Sequence, residues 1–228
     1  PAMGISHPLQ KVRTTPKAVF IANSSRVQEA LRVIEEFTRI TDPKLCEIAT
    51  KIRYETYEIE INVLNTSEGI KKRQALNDCS LYLITTNRDD LEKIVIQSLK
   101  AGVKIVQYRE KFLSDNEKVA QAKYLASICK KYNSLFIVND RIDIALAVDA
   151  DGIHLGQEDI STKIARELLG NEKIIGRSTH CFEEIKNAEE EGCDYIGIGP
   201  IFSSETKKNL NPIGIDYLKK GLDKTLLP

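Results

Sequence analysis

The sequence offers no excess of charge to a partner. Thirty-three lysines and arginines stand against 33 aspartates and glutamates in 228 residues. That balance excludes a polyanion-coating protein and an acidic tail protein, and leaves recognition to local placement. No C-x-x-C pair occurs among Cys46, Cys79, Cys129, Cys181 and Cys193, and their number is odd, which argues against a disulfide framework or a zinc ribbon and fits a reducing cytosol. No apolar run approaches the roughly 18 residues of a membrane helix, and no basic start followed by an apolar stretch marks an export signal. A Walker-type phosphate loop is missing as well. What is present, 42% hydrophobic and 29% charged residues, is enough for a sizeable core under an ordinary surface.

Length implies one large domain plus an appendage. Residues 1–16, rich in Pro, Gly and Ser, read as a disordered or tag-like lead. Residues 17–65 read as a helical fragment. There Ser25 to Gln28 forms a capping box, and Val27, Ala30, Leu31, Ile34 and Phe37 repeat at helical spacing to about Ile40. Asp42-Pro43 then starts a second helix, with Leu45, Ile48, Ala49, Ile52, Ile59 and Val63 along one side. Polar residues 66–79 read as a linker.

From residue 80 to 228 the pattern changes to short apolar runs: Leu81–Thr85, Val103–Gln107, Leu135–Asn139, Gly152–Leu155, Ile174–Gly176 and Tyr195–Gly199. Helical segments separate them, clearest in Ser114–Tyr132, where Ser114 and Glu117 form a capping box. A weak repeat runs from helix end through Gly or Asp into strand at Gly102, Asp149 to Gly152, and Gly192. Such tight alternation predicts an α/β fold with a parallel sheet, a TIM (β/α)8-type barrel preceded by a small helical segment; an open doubly wound sheet is the alternative.

Ligands of parallel α/β folds bind beyond the carboxyl ends of the strands. Those positions here are polar. Gln107, Arg109 and Lys111 share one parity after the second strand. Asn139, Asp140, Arg141 and Asp143 follow the third, and His154, Gln157, Glu158 and Asp159 the fourth. Arg177, Ser178 and His180 follow the fifth, and Ser203, Ser204, Thr206, Lys207 and Lys208 the sixth. Oxygen donors without a Cys/His set favour a hard cation such as Mg²⁺, and cations beside it suit diphosphate oxygens. Glu110, Asp143 and Glu158 are read as helix-opening acids, His154 and His180 first as hydrogen-bonded barrel histidines, and Arg26 and Arg32 as partners of Glu29, Glu35 and Glu36.

These segments carry a resemblance. Gln107 to Lys111 (QYREK), Val138 to Asp143 (VNDRID), Ala150 to Asp159 (ADGIHLGQED), Gly176 to His180 (GRSTH) and Gly199 to Lys207 (GPIFSSETK) together resemble the thiamine phosphate synthase family, over Ser80 to about Leu218. The resemblance implies a Mg²⁺-dependent transferase joining 4-amino-2-methyl-5-hydroxymethylpyrimidine diphosphate to 4-methyl-5-(2-phosphooxyethyl)thiazole. It implies metal ligation by Asp140 and Asp159, and diphosphate contacts from Arg109, Lys111, Asn139, Ser178 and Lys207. Gln107 would face the pyrimidine, with Ser204 and Thr206 in the loop over the substrates. Small-molecule partners, no nucleic acid, no membrane, a cytoplasmic location and a homo-oligomer complete the expectation.

Ala22 to Arg26, Glu29 to Glu36 and Lys51 to Tyr54 resemble the helical domain fused before this synthase in some bacteria, for which a hydroxymethylpyrimidine phosphate kinase role has been proposed. The motif occurs twice there and once here, so that activity is not carried over. Ser80 to Pro228 suffices for six strand-helix units, and the barrel is expected to be truncated before its seventh and eighth strands. Two alternatives follow: a thiazole tautomerase on the same barrel, using His180, or a non-catalytic fragment that keeps the pyrimidine diphosphate half-site.

Overall fold

The structure, a computed structural model, describes residues 15–203 and 211–228. It divides into two compact units, residues 1–67 and 68–228. Among the described residues no helix is long and apolar enough to cross a membrane.

The smaller unit is a helical hairpin. Helix α1 (Pro16–Thr41) begins well before the predicted capping box, because Thr15 caps it, accepting from the Ala18 amide, and Pro16 occupies the first turn. Ser25 therefore lies inside the helix, where its hydroxyl donates to the Ile21 carbonyl at 2.9 Å. Asp42 is the sole residue between the helices, and its carboxylate accepts from the Leu45 amide at 3.0 Å to start α2 (Pro43–Asn77). The helices run antiparallel, joined by Gln28–Glu60 at 2.6 Å and Arg53–Glu35 at 3.0 Å. Glu35 thus pairs across the hairpin rather than with Arg32.

The polar stretch read as a linker is helical as far as Asn77. Gly69, a turn signal in sequence, sits inside α2 because the chain packs tightly there: a Cβ would fall 2.4 Å from the Asn171 carbonyl oxygen. Near the helix end Leu76 is buried among Ile105, Leu135, Ile137, Ile174 and Tyr195.

The larger unit alternates strand and helix: β1 (Tyr82–Ile84), α3 (Leu91–Lys100), β2 (Ile105–Tyr108), α4 (Asp115–Lys131), β3 (Leu135–Asn139), α5 (Ile142–Ala147) and β4 (Gly152–Leu155). There follow α6 (Thr162–Leu169), β5 (Ile174–Thr179), α7 (Phe182–Glu190), β6 (Tyr195–Ile198) and α8 (Gly214–Leu222). All five pairings are parallel, in the order β1-β2-β3-β4-β5-β6. Strict succession excludes the doubly wound alternative, whose order reverses at a switch point. The sheet also curls. Laid flat, five steps would separate β1 from β6 by about 24 Å, yet the Tyr82 and Tyr195 hydroxyls meet at 2.6 Å on its concave side.

Alternation assigns the faces. Val106, Tyr108, Phe136 and Val138 pack outward against Leu91, Val95, Leu99, Ala122 and Leu125 of the covering helices. Ile105, Leu135 and Ile137 point into the curl. The predicted capping box of α4 is present, Ser114 and Glu117 satisfying each other's amides. The helix-to-strand turns take positive φ at Gly102, Asp149 and Gly192, where the sequence repeat placed Gly or Asp.

Asp194, just before β6, ties the unit together. Its carboxylate accepts from Arg73 at 2.5 Å, Arg166 at 2.7 Å and the Ile175 amide at 2.7 Å. Asp194→Ala should destabilise the protein by about 3 kcal/mol, because two guanidinium groups and a strand amide lose their acceptor. A urea titration checks this; an unchanged midpoint contradicts it.

Candidate active site

The register sets Asn139, His154, Gly176 and Tyr195 side by side across four strands. Period-two alternation turns this row into the curl, with Ser178 one step beyond. Beneath the rim lies a network of polar groups. Gln107 donates to the Tyr82 hydroxyl at 3.1 Å, and Tyr82 meets Tyr195. His154 joins Tyr195 through Nδ1 at 3.0 Å and the Ser178 hydroxyl through Nε2 at 2.9 Å. Burial pushes the Tyr82 phenol up to about 12 and Tyr195 well above its ordinary value, so both remain protonated hydrogen-bonding groups at neutral pH.

Above the network stand the two aspartates. Asp140 leaves β3 in a left-handed conformation, φ 61°, its amide donating to the His154 carbonyl at 2.9 Å. The Asp159 carboxylate accepts from the Gly156 amide at 2.6 Å, which aims it back toward the end of β4. Burial and the adjacent Asp159 carboxylate hold Asp140 above the usual carboxylate range, while Lys111, with Nζ 3.5 Å from Asp140 Oδ2, pulls the other way. Two neighbouring carboxylates are unfavourable unless a proton or a cation lies between them. Among the described residues no group of three Asp, Glu, His or Cys side chains could hold a metal. The pair therefore suits a hard cation that takes its remaining oxygens from water and ligand.

Of the residues singled out in the sequence, Gln107, Asn139, Asp140, Asp159, Ser178 and Lys111 line this one end of the sheet. Arg109 follows β2, its amide held by the Thr85 hydroxyl at 2.9 Å. Ser204, Thr206 and Lys207 lie outside the described residues. Arg177 turns away: β5 continues to Thr179, so Arg177 faces the outer side, buried, and donates to the Ile160 carbonyl at 2.7 Å. Of the acids read as helix openers, Glu110 accepts from the Phe112 and Leu113 amides ahead of α4, whereas Asp143 pairs with Arg141 at the start of α5, which has no side-chain cap. A cavity of about 820 Å³ opens instead at the amino ends of the strands, against Lys104, Lys130 and Asp149, and none of the singled-out residues lines it.

Comparison with known proteins matches residues 81–228 to the family described as thiamine monophosphate synthase. The chain belongs to that family. Residues 2–62 match a second family, described as the ThiD2 family. A thiamine-phosphate synthase of Prochlorococcus marinus is 54% identical over 225 residues, 99% of this chain and 65% of that protein. One from Synechococcus sp. is 45% identical over 232 residues, 100% of this chain and 66% of its own. The chain thus spans slightly less than two thirds of these relatives' length. Among solved structures, a thiamine phosphate pyrophosphorylase from Pyrococcus furiosus superposes with a TM-score of 0.60 at 34% identity, over 68% of this chain and 74% of that one. The thiamine monophosphate synthase match and the succession of parallel strands agree on a TIM-like fold.

Sequence reasoning passed over three residues of this synthase-family site. Tyr82 and Tyr195 were read only as strand apolars, although a tyrosine in the middle of a buried strand must find a partner for its hydroxyl. Thr85 carries no sequence signal beyond lying at a strand end, whereas Gln157, grouped with the fourth strand end in sequence, donates to the Ser178 carbonyl at 2.5 Å.

Proposed function

We propose that the barrel unit forms thiamine phosphate from 4-amino-2-methyl-5-hydroxymethylpyrimidine diphosphate and 4-methyl-5-(2-phosphooxyethyl)thiazole, releasing diphosphate. The observation carrying this reading is the convergence of Asp140, Asp159 and Lys111 over a hydrogen-bonded floor of Gln107, Tyr82, Tyr195, His154 and Ser178. The rim answers charge, and the floor answers a planar heterocycle.

In this reading the bond from the pyrimidine methylene carbon to the diphosphate oxygen breaks with its electron pair leaving on diphosphate. The aminopyrimidine stabilises the methylene cation, and the thiazole nitrogen lone pair forms the new carbon–nitrogen bond. No proton transfer is needed at the reacting centre. The residues' task is to stabilise charge growing on the leaving group. Lys111 and Arg109 take diphosphate oxygens, joined by Asn139, Lys207 and the Ser178 hydroxyl, which His154 orients. Gln107 faces the pyrimidine from the floor, its amide already set by Tyr82. Ser204 and Thr206 belong to the loop over the substrates. Asp140 and Asp159 would hold Mg²⁺, which when bound neutralises part of the diphosphate charge. A cytoplasmic location belongs to the same reading, supported by five unpaired cysteines.

The test supplies both substrates with Mg²⁺ and follows thiamine phosphate and diphosphate together. Equimolar formation of the two is expected. Isomerised thiazole without diphosphate release supports a tautomerase instead, and pyrimidine diphosphate binding without turnover supports a half-site.

A further inference from the structure

Asp140 stands at a strained point of the chain. Its φ is 61°, and the Arg141 amide donates back to the Asn139 carbonyl at 2.7 Å, closing a three-residue turn with Asp140 at its apex. A turn of this length with positive φ at its centre has the rare, strained hand, and such strain persists only where the surroundings hold it. On the strand side Asn139 pairs with His154, and the Asp140 amide donates to the His154 carbonyl. On the other side the hold is Arg141.

The Arg141 guanidinium lies between two carboxylates. Its Nη1 and Nη2 donate to the two oxygens of Asp115 at 2.8 and 3.0 Å, and its Nε and Nη2 to those of Asp143 at 2.9 and 2.5 Å. Four of its five N–H donors are thus engaged, and the bonds from Arg141 hold both carboxyls below the usual carboxylate range. With its donors spent and its charge matched by two acids, Arg141 is unsuited to take a ligand anion, although it sits in sequence among the rim residues. Each acid is an anchor. Asp143 lies in the first turn of α5, whose Ala145 amide donates to the Arg141 carbonyl at 3.0 Å. Asp115 is the first residue of α4, and the loop ahead of it is fixed by Ser114 with Glu117 and by Glu110, which accepts from the Phe112 and Leu113 amides. That loop carries Lys111.

We infer, on the reading of Asp140, Asp159 and Lys111 as the seat of a metal-bound diphosphate, that Arg141 is a positioning residue: gripped by Asp115 and Asp143, it holds the turn that presents Asp140 and sets Asp140 against Lys111, whose Nζ lies 3.5 Å from Asp140 Oδ2. The grip is a local device and not a general stabiliser. Asp115 and Asp143 are 65% and 64% exposed, and ion pairs of that kind add little to global stability. Partners that orient a metal ligand are nonetheless worth roughly ten- to a hundredfold in metal affinity.

The test compares Arg141→Ala with a variant carrying Asp115→Asn and Asp143→Asn. In native-state hydrogen exchange followed by NMR without ligand, both should exchange the Asp140 and Arg141 amides about tenfold faster than wild type, while the amide of the buried Ile137 keeps its rate. Melting temperatures should move by no more than about 2 °C. In calorimetric titration with inorganic diphosphate and Mg²⁺, both should bind about tenfold more weakly, and combining all three substitutions should add little, since the same clamp is lost either way. Unchanged exchange at Asp140 in either variant overturns the inference. So does an Arg141→Ala binding defect that the two asparagines do not share, because Arg141 then meets the anion itself. A large fall in melting temperature in both variants overturns it as well, the pairs then serving the whole fold. Wild-type diphosphate binding that ignores Mg²⁺ contradicts the seat rather than the clamp, which the exchange rates test without any ligand.

Discussion

Asp140→Asn should lower the rate of thiamine phosphate formation by about a thousandfold, the scale of losing a charge-stabilising ligand from a metal-assisted site, and should also raise the melting temperature of the ligand-free protein. The two effects have one cause. Asp140 is held above the usual carboxylate range by burial first and by Asp159 second. Its proton is therefore bound more tightly in the folded state than in the unfolded one. The stability it contributes is fully present below the ordinary carboxylate range and is lost as pH rises through the raised value. Above that raised value the folded protein carries the repulsion that a cation relieves. Asparagine keeps the shape and removes that charge, at the loss of only a half-exposed contact with Lys111 at 3.5 Å. A rise of ~1–3 °C is expected. Thermal melts without divalent cations, compared with turnover at saturating Mg²⁺, check both halves. A variant that melts lower and turns over normally contradicts the assignment of Asp140.

Gly176→Ala should be strongly destabilising for the addition of a single methyl group. A Cβ there would lie 2.0 Å from the Tyr195 ring carbon Cζ and 2.5 Å from its hydroxyl. That ring is held by Tyr82 and His154 and cannot move without breaking the floor. A loss of about 3 kcal/mol or more is expected, lowering the melting temperature by roughly 10 °C. Gly197→Ala is the control, since its Cβ meets only the His154 ring, Cε1 at 3.5 Å and Nε2 at 3.9 Å, both ordinary contacts. Equal melting of the two variants contradicts the tight seating of Tyr195.

The contrast between these glycines shows where sequence reading stops. Strand-helix alternation was legible because each element is short and its burial periodic: β3 and β4 fall on the predicted residues, and the capping box of α4 is where Ser114 and Glu117 place it. Strand-end chemistry was legible because the carboxyl end of every parallel strand faces the same mouth, so Gln107, Asn139, Asp140, Asp159 and Ser178 could be grouped before any contact was known. Contacts across the curl were not. Tyr82 and Tyr195 are separated by most of the barrel in sequence, and only curvature brings their hydroxyls together. The polar residues before residue 78 looked like a linker because helix α2 there buries Leu76 and packs Gly69 against a distant carbonyl, neither of which is local information. Arg177 was grouped with the rim because the apolar run ended at Gly176, whereas the strand continues and parity sends its side chain outward.

The central claim is that Asp140, Asp159 and Lys111 build one seat for a metal-bound diphosphate. Calorimetric titration with inorganic diphosphate, with and without Mg²⁺, tests it most directly. Binding that requires Mg²⁺ in the wild type, and that is lost in Asp159→Asn with Mg²⁺ present, is the predicted result. Equal diphosphate affinity with and without Mg²⁺, unchanged by Asp159→Asn, would contradict the account.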